Sequence, residues 1–173
     1  MNDNPLNSTN DLTSGRFVSL WVVLFPITYF AHITEEYLGG FVEQTAEFTG
    51  LVVPEIAFLT ANAILWIGML VVVTLVFYRR IGVTLIVVIG TVVVINSLLH
   101  IGSTLIFARY SAGVYTGVLL WLPLGIATLG RAYRLLPRNE LKRGILLGVV
   151  AHALVPVFGF GFIIAFGGGW SGS

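Results

Sequence analysis

Residues 31–40, AHITEEYLGG, place one histidine and two adjacent carboxylates at the end of a long apolar run. Glu36 follows His32 by four residues and Glu35 follows it by three, so a helix would carry all three on one side. An imidazole and a carboxylate at this spacing can hydrogen-bond or hold one metal ion between them. Ionisable residues inside apolar segments are costly to bury, so this group indicates a functional site.

Two other apolar runs carry polar rows of the same kind. Asn96 and His100 are four residues apart in the run 81–107, and Glu55 precedes Asn62 on one face of the run 54–78. At about 1.5 Å of rise per residue, His32, Asn62 and His100 lie about 10 Å below the outer ends of their helices. We therefore expect a polar cavity that is built by the first three spans and open to the outside.

The composition is that of an integral membrane protein. Of 173 residues, 57% are hydrophobic and 10% are charged, whereas soluble domains carry about 25% charged residues. The chain has no cysteine, which excludes disulfides, thiolate catalysis and cysteine-ligated metals. We expect the lipid bilayer as a partner and no nucleic acid.

Five segments reach the length of about 20 apolar residues that a spanning helix needs. The sequence therefore predicts an all-α, polytopic transmembrane helical bundle that forms a single domain over residues 16–170. Residues 1–15 are polar and are predicted to be a disordered tail. The predicted spans are residues 17–38, 54–78, 81–107, 112–135 and 144–166.

The basic residues predict the orientation of this bundle. Arg79 and Arg80 join the second and third spans, and the segment 131–143 joins the fourth and fifth with five basic residues. By the positive-inside rule these connections are cytoplasmic, so the N-terminus is inside and the C-terminus outside. We expect a multi-pass protein of the cell membrane, whose outer loop at 39–53 carries only acidic charges.

Glycines recur at four-residue spacing in the last two spans. Gly113 and Gly117 form one pair, and Gly144, Gly148 and His152 form a row in the fifth span. Such spacing lets neighbouring helices approach closely and could serve an oligomer. His152 should then face the bundle, where packing is its simplest role.

The stretch His32-Ile33-Thr34-Glu35-Glu36 resembles the motif that names the HXXEE domain family of small multi-span membrane proteins. That family's pattern has a second histidine downstream, and His100 fits its position. A Tyr-x-Pro-Gly motif usually follows, and Tyr110-Ser111-Ala112-Gly113 matches it without the proline. The resemblance covers about residues 20–135 and implies a site at these residues without naming a reaction.

One hypothesis is a membrane-embedded enzyme that acts on a lipid-like or isoprenoid-like substrate. His32, Glu36 and His100 would bind a divalent metal such as Zn or Fe, or would act as acid and base. Glu35 would orient them and Asn96 would donate to a substrate oxygen. The remaining predicted substrate contacts are Glu55, Asn62 and Tyr110.

Two alternatives use the same residues. A transporter or a proton or cation pathway would link the cavity to His152 near the other side. A non-catalytic partner subunit would use the polar rows as interhelical contacts, since polar side chains also hold helices together. Each histidine by itself could be a packing residue, and the two glutamates could simply be solvated carboxylates.

Overall fold

The computed structural model describes residues 18–78 and 82–170. The predicted tail at 1–15 and the basic pair Arg79 and Arg80 lie outside the described residues. The fold is all-α apart from one pair of two-residue strands. Its elements are a 3-10 helix Leu20–Val23, α1 Leu24–Leu38, α2 Phe41–Thr49, β1 Leu51–Val52, α3 Glu55–Phe77, α4 Thr84–Phe107, α5 Val114–Leu135, α6 Arg138–Ala165 and β2 Gly169–Trp170.

Four of the described helices are long and apolar enough to cross a membrane by length and composition, namely α3, α4, α5 and α6. The structure thus supports a membrane-embedded all-α bundle. The first predicted span differs, because residues 20–38 are divided between the 3-10 helix and the 15-residue helix α1. Pro26 lies in the first turn of α1, where a missing backbone N–H is tolerated.

Helix α1 runs antiparallel to α3 along much of its length. Tyr37, at the end of α1, donates to Glu55, at the start of α3. Further along, the Tyr29 hydroxyl donates to Asn62 Oδ1 over 3.0 Å. Beyond that, Trp66 Nε1 donates to the carbonyl oxygen of Pro26 over 2.9 Å. These contacts place the two polar residues predicted on α3, Glu55 and Asn62, against α1.

Helices α4 and α6 are parallel and pack through the predicted glycine row. A Cβ atom built on Gly144 would lie 2.6 Å from Val87 Cβ, and one on Gly148 would lie 2.5 Å from Thr91 Cβ. Real Cβ atoms do not approach that closely, so these positions require glycine for the observed packing. This part of the glycine row is therefore occupied within the chain, and nothing here supports its use in an oligomer.

The predicted outer loop at 39–53 contains the amphipathic helix α2 and strand β1. Strand β1 pairs antiparallel with β2, with Leu51 opposite Trp170, and so joins this segment to the C-terminal end of α6. Arg109 donates from both terminal nitrogens to the Glu47 carboxylate over 2.8 and 2.7 Å. These hydrogen bonds hold the pKa of Glu47 below its usual value. The segment between α1 and α3 is thus fixed to one end of the bundle.

Candidate functional site

Three buried side chains from two helices meet at one point. Glu36 Oε1 lies 3.4 Å from His32 Nε2 and 3.2 Å from His100 Nε2. The two imidazole centroids are 5.1 Å apart with the rings nearly perpendicular. His32 is 1% exposed, and Glu36 and His100 are each 7% exposed. The predicted proximity of the two histidines is thus confirmed, and we call these three residues the His-Glu-His cluster.

Local helix geometry explains two of these positions. His32 and Glu36 are one turn apart in α1, so both side chains project from the same face. His100 lies in the second half of α4, on the side that meets the end of α1 and the start of α5. One ligand atom from each residue can be chosen such that all lie within 4.8 Å of one another. This is the spacing at which three side chains can share a metal ion.

Helix α5 supplies the third side of the cluster, where the sequence predicted α3. The Trp121 indole stacks on the His32 imidazole, with the centroids 3.8 Å apart. Trp121 ends a π-helical stretch, Gly117–Trp121, in the first half of α5. Short π-helical stretches shift the register of the following residues and recur at functional sites. Trp121 is not predicted from the sequence, because nothing in local spacing pairs it with His32.

Gly113 brings the backbone against the cluster. Its φ is +94°, in the left-handed region, and a Cβ atom there would lie 2.8 Å from His100 Cε1 and 2.9 Å from His32 Cε1. Glycine is therefore required both by conformation and by space. Gly113, the final glycine of the Tyr-x-Pro-Gly motif, thus packs against one side of the site, although Ala112 replaces the proline.

Gln44 of α2 holds the turn that carries Gly113. Its Oε1 accepts from the backbone N–H of Ala112 over 3.0 Å, and its Nε2 donates to the carbonyl oxygen of Gly39 over 3.1 Å. In the same turn, Ser111 Oγ lies 3.3 Å from His100 Nδ1. The segment 39–53 therefore positions this turn, and the turn contacts both histidines.

Glu35 turns away from the cluster and binds the start of α5. Its carboxylate accepts from the backbone N–H groups of Tyr115 and Thr116 over 2.9 and 2.6 Å, and from Thr116 Oγ1 over 2.5 Å. It also accepts from the Tyr110 hydroxyl over 2.9 Å. Burial of the ring and this hydrogen bond raise the pKa of Tyr110 to about 12. A carboxylate at a helix N-terminus satisfies free N–H groups and suits the helix dipole.

The other predicted site residues differ in their distance from the cluster. Asn96 is one turn before His100 on α4, and its buried Oδ1 has no hydrogen-bond partner among the described residues. Asn62 is linked to Tyr29, whose ring packs 5.6 Å from Trp121. Glu55 is exposed and accepts from Tyr37. The structure therefore brings His32, Glu36 and His100 together and places Glu35 and Asn96 beside them.

His152 lies on α6, four residues after Gly148. The residue is half-buried, and its Nδ1 has no hydrogen-bond partner in the described part of the chain. The buried Nδ1 indicates that His152 faces the bundle, as the glycine row predicted. Nothing in its contacts connects it to the cluster, so the pathway hypothesis gains no support from this residue.

The donor set defines what the cluster can do. Two imidazoles and one carboxylate can take up a divalent metal such as Zn²⁺ or Fe²⁺. The same groups can instead share a proton, since a buried carboxylate needs a nearby positive charge. Both possibilities concern one centre, at the junction of α1, α4 and α5.

The family comparison covers these same residues. A family model described as "Protein of unknown function with HXXEE motif" matches residues 23–128. No curated protein and no solved structure matches the chain. The matched region spans well over half of the chain and contains His32, Glu36 and His100 as well as Gly113. The protein therefore belongs to the HXXEE family, as the motif at residues 32–36 predicted.

Proposed function

We propose that this protein binds a divalent transition metal, Zn²⁺ or Fe²⁺, through His32 Nε2, His100 Nε2 and the Glu36 carboxylate. We further propose that the metal serves an enzymatic reaction on a lipid-like or isoprenoid-like substrate. The observation that supports the proposal is the approach of Glu36 Oε1 to both Nε2 atoms, 3.4 and 3.2 Å away, in a buried site.

Electrostatics favour a cation at this point. Burying an ionised carboxylate is strongly unfavourable unless it is paired with positive charge. His32 Nε2 is buried and lies 3.4 Å from Glu36 Oε1, yet it makes no hydrogen bond to any described residue. A metal ion coordinated by both atoms would satisfy the nitrogen and the carboxylate together. Neutral packing histidines would instead be expected to have both ring nitrogens hydrogen-bonded.

The number of ligands favours catalysis over a purely structural role. Structural zinc sites use four protein ligands, whereas catalytic sites use three and leave a position for water or substrate. A metal in such a site polarises a substrate oxygen or lowers the pKa of bound water. Two of the three helices around the cluster, α4 and α5, are of membrane-spanning length, so a substrate that reaches it from the bilayer would be apolar. Substrate roles for Asn96, Asn62, Glu55 and Tyr110 stay predictions.

We also propose five spans, with the N-terminus inside. The 3-10 helix and α1 together extend about 30 Å, at about 2.0 and 1.5 Å per residue, which is the thickness of a bilayer core. Contacts from Tyr37 to Pro26 follow α3 along about 17 Å of this length, at about 1.5 Å per residue. The whole chain would then form one domain of the cell membrane. The basic residues between α5 and α6 would be cytoplasmic.

Cysteine labelling tests this topology, because the natural chain contains no cysteine. We expect a membrane-impermeant maleimide added to intact cells to label Glu43→Cys. Ser8→Cys and Asn139→Cys should react only after the membrane is permeabilised. If Ser8→Cys reacts from the same side as Glu43→Cys, α1 does not span and the five-span proposal is wrong.

Elemental analysis of the purified protein tests the metal site. We expect stoichiometric Zn or Fe in the wild type and its loss in His32→Ala and in His100→Ala, because each substitution removes a ligand. His152→Ala is the matched control and should retain the metal, since this histidine lies on α6 away from the cluster. Full metal content in both cluster variants would overturn the proposal, as would a metal-free wild type after growth with added zinc and iron.

A further inference from the structure

We propose that Glu35, acting through the hydroxyl of Thr116, holds His32 as the tautomer with its proton on Nδ1. The Nε2 lone pair then points to the centre of the cluster. Glu35 and Thr116 are thereby positioning residues. The consequence for metal affinity rests on the proposed function, but the tautomer itself does not require a metal.

Glu35 is present as a carboxylate acceptor. Its two oxygens receive four hydrogen bonds, from the N–H groups of Tyr115 and Thr116 and from the hydroxyls of Thr116 and Tyr110. Two of these partners are backbone N–H groups, one at each carboxylate oxygen, and such groups can only donate. Both oxygens of Glu35 therefore serve as acceptors, and the ionised form accepts from all four groups at once.

The Thr116 hydroxyl has one hydrogen and two short contacts. Its Oγ1 lies 2.5 Å from Glu35 Oε2 and 2.7 Å from His32 Nδ1. Because an ionised carboxylate only accepts, the single hydrogen must be donated to Glu35. The hydroxyl oxygen then accepts from His32, which requires a proton on Nδ1. The longer approach of Thr116 Oγ1 to the carbonyl oxygen of Gly113, 3.4 Å, is the weaker alternative.

This arrangement leaves Nε2 of a neutral His32 without a proton. That atom faces Glu36 and has no hydrogen-bond partner among the described residues. Metal-binding histidines usually donate their other ring N–H to a fixed acceptor, which sets the tautomer and the ring orientation. Here the acceptor is a threonine from another helix, fixed in turn by a carboxylate.

The two adjacent glutamates of the motif therefore have different tasks. Glu36 contacts both imidazoles directly, whereas Glu35 acts on His32 through α5. His100 is not constrained in the same way. Its Nδ1 lies 3.3 Å from Ser111 Oγ, and this hydroxyl can either donate or accept. The inference thus concerns His32 specifically.

Nitrogen NMR of the metal-free protein tests the tautomer. We would label histidine with ¹⁵N, strip metal with a chelator, and record ring shifts at about pH 8.5, above the ordinary histidine pKa. We expect the Nδ1–H form for His32 in the wild type and in Thr116→Ser, which keeps the hydroxyl. Thr116→Val and Glu35→Gln should populate the Nε2–H form. Thr34→Val is the matched control, because it removes an exposed hydroxyl that bonds to Phe30.

Zinc titration supplies the second readout. We expect Thr116→Val to weaken Zn²⁺ binding by about 10- to 100-fold, and Thr116→Ser to stay near the wild type. An Nε2–H form of His32 in the wild type, or the same tautomer in Thr116→Val and wild type, would overturn the inference. The Nδ1–H form in a wild type that binds no Zn²⁺ would support the tautomer and refute the metal proposal. If Thr116→Val does not fold, Glu35→Gln decides in its place.

Discussion

Replacing Gly113 with alanine is expected to destabilise the protein by at least about 2 kcal/mol and to abolish metal binding. The added methyl group would lie 2.8 Å from His100 Cε1 and 2.9 Å from His32 Cε1, and the residue would be held at a φ of +94°. Both imidazoles must then move apart, so their Nε2 atoms would no longer converge. Thermal unfolding in detergent and zinc titration measure the two effects.

Two other glycines separate the causes of this effect. Gly102→Ala changes a position of α4 with no neighbour within 4 Å of the added atom, and should leave both stability and zinc binding intact. Gly40→Ala adds the strain of a positive φ, +79°, away from the histidines, and should lower stability without removing the metal. If Gly113→Ala binds zinc like the wild type, the geometry derived for the cluster is wrong.

Replacing Glu36 with glutamine should weaken Zn²⁺ binding more than about 100-fold. This loss exceeds the one expected when a residue that only hydrogen-bonds to a metal ligand is replaced. Glutamine has nearly the same shape but no charge, so the substitution removes the negative ligand and leaves the packing in place. Isothermal titration with Zn²⁺ measures the affinity. The wild type should also gain about 2.7 kcal/mol of stability when free zinc is 100 times its dissociation constant. Glu36→Gln should gain less than about 0.4 kcal/mol under the same conditions.

Glu43→Gln provides the control for this substitution. Glu43 is an exposed carboxylate on α2, so its replacement removes the same charge without touching the cluster. Its zinc affinity and its stabilisation by zinc should equal those of the wild type. Equal affinity in Glu36→Gln as well would place any bound metal elsewhere in the chain.

Much of the candidate site could be predicted because it depends on local spacing. Helical periodicity alone puts His32 and Glu36 on one face, and the apolar composition alone indicates a membrane protein. Counting residues from the ends of the apolar runs placed His32 and His100 at similar depths. Their contact, with centroids 5.1 Å apart, agrees with that expectation. The motif also predicted the family, whose model matches residues 23–128.

Two features were harder to predict, namely the length of the first helix and the identity of the helices that surround the cluster. Hydropathy does not distinguish a 3-10 helix from an α-helix, so residues 17–38 read as one continuous span. The sequence likewise placed Asn62 in the same cavity because it shares the depth of the histidines, and placed Glu55 nearer the mouth of that cavity. In the structure these residues face Tyr37 and Tyr29, and α5 fills the third side. Depth along a helix axis carries no information about which helix is adjacent.

By itself, therefore, the sequence determined the membrane class, the family and the side-chain types at the cluster, since all three follow from composition and short-range spacing. Only the tertiary structure separated the roles of Glu35 and Glu36, which are neighbours in the chain but contact different helices. It alone brought Thr116 to His32, 84 positions away in sequence, and set Gly113 against both imidazoles. Such contacts depend on how helices pack, and helix packing is a property of several surfaces at once.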